Sequence, residues 1–218
     1  MSTFSLMTFN AQAFESAPPA AVARFIDQTT ARVGHLDVIA VQENILLDVL
    51  STRFGSVDRS AVVVQYNGLS IANVHLTGGR FDDRGFEAYV DAKSREIDNI
   101  VSKWDPDLVV GDFNADTTVH QADRAGQALV CGYTSLPQST KATFRSYYGD
   151  VHTRLEQWGY RACTPTVPPY QTSVYGGMVD WIYQRASRIP DGPLVTRCVD
   201  AIGPRISDHN AVVAMWTL

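Results

Sequence analysis

In Leu108-Val-Val-Gly-Asp-Phe-Asn114, an apolar run stops abruptly at a glycine, an acid, an aromatic residue and an amide. The run predicts a buried strand, and the residues after it predict polar groups delivered at the strand's end. Similar arrangements occur in four further segments: Leu6-Met-Thr-Phe-Asn10, Val38-Ile-Ala-Val-Gln-Glu43, Ile71-Ala-Asn-Val-His75 and Ser207-Asp-His-Asn210. Rigidly held Asn, Glu, Asp and His are what binding a hard divalent cation and hydrolysing a phosphate ester require.

Asp112 and Asn114 are two residues apart, so in an extended backbone both side chains point to the same side. One anion and one amide placed in this way can share a water molecule or a phosphate oxygen. The alternative is an Asx-type turn that caps the strand. Phe113 is expected to pack inward, and Gly111 permits a close backbone approach that a plain turn does not need. The pattern therefore favours a functional role.

Glu43 and Asn10 are weaker signals when each is taken alone. Glu43 follows a strand and offers an oxygen ligand of the kind that Mg²⁺ prefers. It is equally suited to the start of a helix at Asn44, where a negative charge is stabilised. Asn10 closes the first strand and has an alternative role as a turn former. Glu43 and Asn10 are candidate site residues because they occur together with the other motifs.

Among the five histidines, His209 has the most distinctive surroundings. It follows Asp208 and precedes an apolar run, so it is placed to hold a ring nitrogen toward a water molecule, as a general base does. Asp180 is placed to orient the other ring nitrogen. His75 ends a strand, where a hydrogen-bonded sheet histidine is the alternative. Surface positions are expected for the others, which are His35, His120 and His152.

The composition indicates one globular domain spanning residues 1–218, because 45% of the residues are hydrophobic and 19% are charged. The net charge of −5 gives no overall attraction to a polyanion, which must be met by local cationic residues and bound metal. The sequence contains no apolar stretch of membrane-spanning length, and no signal peptide is expected. A reducing compartment, cytoplasmic or nuclear, is favoured by three widely spaced cysteines, Cys131, Cys163 and Cys198.

Periodicity predicts an alternation of strands and helices along the chain. Strands are expected at about 5–10, 36–41, 61–66, 69–76, 108–111, 179–183 and 211–216. Helices are expected at about 20–32, 45–54, 84–104, 123–131 and 151–160. Asn67-Gly68 lies between two of the strands and predicts a tight hairpin. Together the elements suggest two packed sheets flanked by helices.

Taken in order, the motifs resemble those of the endonuclease/exonuclease/phosphatase superfamily, the DNase I-like enzymes. The resemblance spans nearly the whole chain, and Gly-Asp-Phe-Asn and Ser-Asp-His are its most specific parts. It implies a compact α/β fold, a four-layer α/β/β/α sandwich, with the site where the loops of the inner sheets meet. The residues that carry it are Phe9-Asn10, Gln42-Glu43, His75, Gly111–Asn114, Asp180 and Ser207–His209.

The resemblance also implies a ligand set for Mg²⁺, for which Mn²⁺ is an expected substitute. Glu43 is similar to the family's principal metal ligand, helped by Asn10 and Asp208. Asn10 is further expected to contact the substrate. Gln12 stands where abasic endonucleases place an acid, which favours operation with one metal ion.

The remaining roles that the resemblance implies concern the attacking water and the phosphate. Asp112 is expected to orient or activate the water, and Asn114 to bind the scissile phosphate. His209, with Asp180 as its partner, resembles a residue that acts as general base or as transition-state stabiliser. His75 is expected to stabilise negative charge or to protonate the leaving oxygen.

The catalytic set leaves the substrate open, because loops choose it. The leading hypothesis is a monomeric Mg²⁺-dependent nuclease or DNA-end-processing phosphodiesterase, in which Arg80 and Arg145 bind phosphate. The alternative is a phosphomonoesterase or phosphodiesterase acting on a small or lipid-linked phosphate, of the inositol phosphatase or sphingomyelinase kind. A non-catalytic binding module on the same fold is disfavoured, because none of the named positions is replaced.

Overall fold

Two mixed β-sheets form the centre of the computed structural model, which describes residues 3–11, 19–43, 61–77, 86–115, 150–163, 172–173, 178–201 and 206–217. The first sheet has the strand order β2-β1-β9-β8 and the second β3-β4-β5-β7-β6. The strands are β1 (Thr3–Asn10), β2 (Val38–Gln42), β3 (Ala61–Tyr66), β4 (Leu69–His75), β5 (Leu108–Asp112), β6 (Tyr160–Ala162), β7 (Asp180–Arg185), β8 (Val195–Val199) and β9 (Ala211–Thr217). The helices are α1 (Pro19–Val33), α2 (Phe86–Trp104) and α3 (Asp150–Gln157).

Strand β1 shows how alternation assigns side chains to layers. Its even-numbered residues Phe4 and Leu6 pack against the second sheet, whereas Met7 and Phe9 pack toward α1. Because side chains alternate along a strand, Asn10 lies on the inner face, between the sheets. The strand pairs with β2 in parallel and with β9 in antiparallel fashion, where Thr3 lies opposite Thr217.

Strand β5 occupies the same central place in the second sheet. Leu108 and Val110 face the first sheet, and Val109 faces α2 and α3. Gly111 has φ +142°, and a Cβ built on it would lie 1.9 Å from the carbonyl oxygen of Val74 on β4. Only glycine allows this close approach of the two strands. Asp112 and Leu108 are an even number of residues apart, so their side chains point to the same side of the strand, and Asp112 also lies on the inner face.

Three apolar clusters separate four layers of structure. One lies between α1 and the first sheet, one between the two sheets, and one between the second sheet and the helices α2 and α3. This arrangement is the predicted α/β/β/α sandwich, and the fold prediction is confirmed. In the described part of the chain, no helix is long and apolar enough to cross a bilayer.

Most predicted elements are found with shifts of a few residues at their ends. The hairpin forms as expected, with positive φ at both Asn67 and Gly68, as a type I′ turn requires. The short strands β6 and β8 were missed, and the predicted helix 151–160 ends at Gln157 because Tyr160 begins β6. The helices expected at 45–54 and 123–131 lie outside the described residues, as does His120.

The surface position predicted for His152 is wrong. The residue is 4% exposed, with Nδ1 2.5 Å from the Tyr183 hydroxyl and Nε2 3.3 Å from the Ala115 carbonyl oxygen. Val151 and Leu155 are buried beside it, so α3 turns this face inward. Burial lowers the pKa of His152 to about 4, although the contact with Ala115 acts in the opposite direction. His35, by contrast, is exposed as expected.

Candidate active site

Neighbouring strands deliver the predicted polar residues to one end of the sandwich. In the second sheet, Asp112 lies between its register partners, His75 on β4 and Asp180 on β7. In the first sheet, Asn10 pairs in register with Gln42, the residue before Glu43. Parallel pairing of β1 with β2 and of β4 with β5 brings the carboxyl ends of these four strands to the same edge. The five motifs thus converge although they are far apart in sequence.

Asn10 connects the two sheets at this edge. Its side-chain nitrogen donates to Asp112 Oδ2 at 2.9 Å and to Glu43 Oε1 at 3.3 Å. A second link lies just below, where the Gln42 amide donates to Asn73 Oδ1. Because Asn10 and Gln42 are both buried, these contacts fix the separation of the sheets at the site.

His209 and Asp180 form a buried pair on the same edge. Nδ1 of His209 lies 2.8 Å from Asp180 Oδ2, while its Nε2 lies 3.9 Å from Asp112 Oδ2 and 3.7 Å from Asp208 Oδ1. The Ser207 hydroxyl accepts from the His209 N–H and donates to the Asn10 carbonyl. The histidine is therefore held toward Asp112 with one ring nitrogen already occupied.

Acidic neighbours set the protonation of His209. Burial alone lowers its pKa, but Asp180, Asp112 and Asp208 outweigh burial and raise the pKa to about 10. Burial raises the pKa of Asp180, and the charge of His209 opposes that rise. Without a bound cation, His209 is consequently an imidazolium at neutral pH, with a proton to donate.

His75 is half-exposed and faces the acids from the open side. Its Nε2 lies 3.4 Å from Glu43 Oε1 and 3.7 Å from Asp112 Oδ2. Glu43 itself has φ +51°, a left-handed conformation that a non-glycine residue adopts only where its surroundings fix it. The carboxylate is 26% exposed, so it is accessible to a ligand entering from solvent.

The segment after β5 combines both structures that its sequence suggested. The Asn114 N–H donates to Asp112 Oδ1 at 2.7 Å, which is the Asx-type turn, while Phe113 packs inward. An extended backbone was expected at Asn114, but its φ is +47°, so the residue does not continue the strand. Its side-chain amide donates to the Leu76 carbonyl at 3.0 Å.

Lys93 on α2 is a site neighbour that the sequence reasoning missed. Its ammonium donates to the Asn114 carbonyl oxygen at 2.6 Å. Burial lowers the pKa of Lys93 to about 8, although Asp112 and Glu96 act in the opposite direction. A signal was present, since Lys93 interrupts an apolar stripe formed by Val90, Ile97 and Ile100.

The site's chemistry fits a hard divalent cation. Oxygen donors gather there, and Asp208 Oδ1 is buried with no hydrogen-bond partner among the described residues. Burial raises the pKa of Asp208, the charge of His209 opposes that rise, and the charges of Glu43 and Asp112 raise the pKa further. Such an excess of carboxylate oxygen is what Mg²⁺ or Mn²⁺ binds.

Ligand atoms of Asp112, Asp180 and His209 also lie within 4.8 Å of one another. This deeper group is less suited to an ion, because binding there would compete with the 2.8 Å bond between His209 and Asp180. Glu43, Asn10 and Asp208 leave that bond intact. Arg80 and Arg145, expected to bind phosphate, lie outside the described residues.

Comparison with solved structures gives the same fold along the full chain. The 3′ phosphatase NExo from Neisseria, bound to a product DNA hairpin, is 14% identical with a TM-score of 0.62, and the match covers 99% of this chain and 100% of that one. An AP endonuclease from Archaeoglobus fulgidus is 13% identical with a TM-score of 0.65 and the same coverage. TDP2 from D. rerio, complexed with a single-strand DNA product, is 13% identical with a TM-score of 0.59, covering 100% of both chains.

A comparison with curated proteins finds no match. The model of the Endonuclease/Exonuclease/phosphatase family, however, matches residues 7–209, a range that contains Asn10, Glu43, His75, Asp112 and His209 from the five motifs. The resemblance stated from the motifs is thereby confirmed. The chain belongs to the Endonuclease/Exonuclease/phosphatase family and is a phosphoester hydrolase.

Proposed function

We propose that this chain is a Mg²⁺-dependent phosphodiesterase that hydrolyses phosphate esters of nucleic acid, with DNA as its substrate. The observation that carries the proposal is the bridge made by Asn10, which joins Glu43 from one sheet to Asp112 from the other. It gathers a metal-binding carboxylate and a water-activating carboxylate around one point. The DNA complexes of NExo and TDP2, which share the fold, support the choice of substrate.

Glu43, Asn10 and Asp208 hold the cation in this proposal. When bound, the ion supplies Lewis-acid stabilisation of charge on a phosphate oxygen. The three residues come from β1, the end of β2 and the loop before β9, so a complete ligand set forms only in the folded chain. Mn²⁺ has the same preference for oxygen ligands and is expected to substitute. One ion per chain is expected.

Asp112 accepts a proton from the attacking water, and Asn114 binds the scissile phosphate through its amide. His209 acts as an imidazolium, because the surrounding acids favour its charged form, and it donates to the oxygen on which negative charge develops. A base role requires the neutral ring instead. His75 faces the same space and stabilises the phosphorane or protonates the leaving oxygen. In-line attack of water then releases a phosphate monoester.

The proposal also includes a single domain of residues 1–218 that acts as a monomer, because one chain supplies every group of the site. Cys163 and Cys198 are free thiols, which supports a reducing compartment, cytoplasmic or nuclear. The binding of phosphate by Arg80 and Arg145 remains a prediction from the sequence.

A substrate panel in one Mg²⁺ buffer tests the proposed function. Plasmid DNA, single-stranded oligonucleotides, 5′-tyrosyl oligonucleotides and inositol phosphates are offered to the wild-type enzyme with and without EDTA. DNA cleavage is expected, with loss on chelation. His209→Ala is expected to lower kcat by roughly 10²–10⁴-fold, because it removes the charged donor.

His35→Ala is the matched control, since the His35 side chain is 74% exposed just before β2, at the edge opposite Glu43. Its kcat is expected to equal that of the wild type. Turnover of inositol phosphates without cleavage of any DNA would replace the nucleic-acid proposal with the small-phosphate alternative. Undiminished DNA cleavage by His209→Ala or in EDTA would contradict the assigned site or its metal dependence.

A further inference from the structure

Lys93 is a buried cation that the proposed reaction does not use. It lies in the third turn of α2 and is 3% exposed. An ammonium withdrawn from water loses its hydration, which is unfavourable unless charged or hydrogen-bonded partners compensate for the loss. An apolar side chain of similar length would fill the same space without that cost. The position of this lysine therefore calls for an explanation beyond packing.

The contact that Lys93 makes explains its position. Its ammonium donates to the carbonyl oxygen of Asn114 at 2.6 Å, on the side of the second sheet that faces α2. The acids Asp112 and Glu96 lie close enough for their charges to stabilise it. The lysine thus reaches the backbone of a site residue from behind, while the opposite, inner face of the sheet carries the acids.

The backbone conformation of Asn114 is fixed by its contacts. Its φ of +47° is left-handed, a conformation that asparagine adopts more readily than most non-glycine residues but that is still less favourable than the extended one. Three contacts fix it: the N–H bonds to Asp112, the side-chain amide bonds to the Leu76 carbonyl, and the carbonyl bonds to Lys93. Two of the three contacts involve a charged group, the Asp112 carboxylate and the Lys93 ammonium, and Lys93 supplies the positive charge.

The same face of α2 also fixes the neighbouring strand end. Glu96, three residues after Lys93, accepts from the Thr77 N–H at 2.8 Å. Thr77 follows Leu76, whose carbonyl receives the Asn114 amide. Residues three apart lie on one face of a helix, so Lys93 and Glu96 hold the loops after β5 and β4 together.

We propose that Lys93 is a positioning residue for the phosphoester hydrolase reaction: its ammonium holds the Asn114 peptide so that the Asn114 amide stays directed at the scissile phosphate. This inference rests on the phosphate-binding role proposed above for Asn114. A displacement of about 1 Å at a reacting centre lowers a rate by roughly 10²-fold. Loss of Lys93 is accordingly expected to lower kcat more than it raises KM, because the amide contact is most demanding in the transition state.

A double-mutant cycle tests whether Lys93 acts through Asn114. The variants are Lys93→Met, Asn114→Ala and the double variant, assayed with thymidine 5′-(p-nitrophenyl phosphate), a phosphodiester that needs no DNA contacts, at saturating Mg²⁺. Each single variant is expected to lower kcat, Lys93→Met by roughly 10–100-fold. The double variant is expected to match Asn114→Ala, since the lysine has no amide left to position.

Lys103→Met is the matched control, because Lys103 is an exposed lysine on the same helix that stacks on Trp104. Its kcat is expected to be that of the wild type. Lys93→Arg, which keeps a charged donor, is expected to recover part of the activity that Lys93→Met loses. Should far-UV circular dichroism show Lys93→Met unfolded, Lys93→Gln takes its place in the cycle.

Two results overturn the positioning role. One is a Lys93→Met enzyme with wild-type kcat, and the other is a double variant in which the two losses multiply, as independent effects would. In both cases Asn114→Ala and His209→Ala still impair hydrolysis, so the proposed function survives. If Asn114→Ala and His209→Ala instead kept the activity of the wild type, the proposed site would be contradicted, and so would the role of Lys93.

Discussion

His209 is a histidine whose charge is governed by three carboxylates. Its raised pKa, about 10, lies above the value near 6.5 that it has in an unfolded chain. A raised pKa means that the folded state binds the proton more tightly. The stabilisation it contributes is full below about pH 6.5 and is lost as the pH rises through about 10.

We therefore predict that the ring of His209 does not titrate between pH 6 and pH 8.5 in the metal-free protein, as measured by histidine NMR shifts. Asp180→Asn is expected to lower the pKa of His209, because it removes the carboxylate that lies 2.8 Å away. Asp191→Asn, at an exposed position, is the control and should leave the shifts unchanged. A His209 ring that titrates near pH 6.5 in the wild type would contradict the assigned surroundings.

At the scale of elements, Gly111 controls the pairing of β4 with β5. Any side chain there would collide with the Val74 carbonyl at 1.9 Å and would also have to adopt a positive φ. Gly111→Ala is expected to lower the free energy of unfolding by more than about 3 kcal/mol, since main chain rather than a flexible side chain must move. Urea denaturation measures the change.

Gly192→Ala provides the comparison for that variant. Nothing lies within 4 Å of a Cβ at position 192, so its free energy of unfolding should stay within about 0.5 kcal/mol of the wild type. Equal effects of the two alanines would show that β4 and β5 do not approach as closely as described.

Helix α3 makes stability depend on pH through His152. Its folded pKa, about 4, is below the unfolded value near 6.5, so the unfolded chain takes up the proton first. The stability it contributes is present above about pH 6.5 and is lost as the pH falls toward 4. Between pH 7.5 and pH 5, the loss from this residue is expected to be about 2 kcal/mol.

Urea denaturation of the wild type and His152→Gln at both pH values isolates that contribution. The variant starts from lower stability, because it loses the contact with Tyr183, but its stability should fall less on acidification. Parallel losses in the two proteins would mean that His152 is not buried in its neutral form.

For the whole molecule, a bound cation is expected to stabilise the folded state. Its proposed ligands are separated by more than 150 residues of sequence between Glu43 and Asp208, so the unfolded chain has no comparable site. At a Mg²⁺ concentration 100 times Kd, the gain is about 2.7 kcal/mol. For a chain of this length, that corresponds to a rise in Tm of roughly 5–10 °C.

Differential scanning calorimetry with and without Mg²⁺ measures this rise. Glu43→Gln should lose most of the rise in Tm, because the principal carboxylate ligand becomes a weaker amide. Glu156→Gln, which removes an exposed carboxylate from α3, should show the same rise in Tm as the wild type. An equal rise in the two variants would place the ion elsewhere.

Much of this architecture can be predicted from the sequence, because strand ends and the apolar faces of helices are local patterns. The apolar runs before Asn10, Glu43, His75 and Asp112 give both the strands and the residues at their ends. Strand β8 escapes detection because Thr196 and Arg197 break its apolar character, although Thr196 and Cys198 are buried. Strand β6 has three residues, too few for a period to be seen.

The site was less predictable where contacts between elements decide it. Asp180 was expected to orient His209 because His209 needs a carboxylate partner, and the family resemblance implied the same pair, but no local pattern measures their separation of 29 residues. Lys93 lies in an apolar stripe that hints at its burial, whereas His152 has no such signal, and the packing of α2 and α3 against the second sheet shows that both are buried. Alternation also misplaced Asn114, because a period of two holds only while the backbone stays extended.

The pairing of Thr3 with Thr217 has a practical consequence for protein engineering. Asn10 lies seven residue steps along β1 from Thr3, which sets Thr3 and Thr217 about 23 Å from the acids. A short peptide joining them would yield a circularly permuted enzyme, opened anew at a distant surface loop. Fluorophores or surface tethers attached at either position would likewise stay clear of an incoming phosphoester.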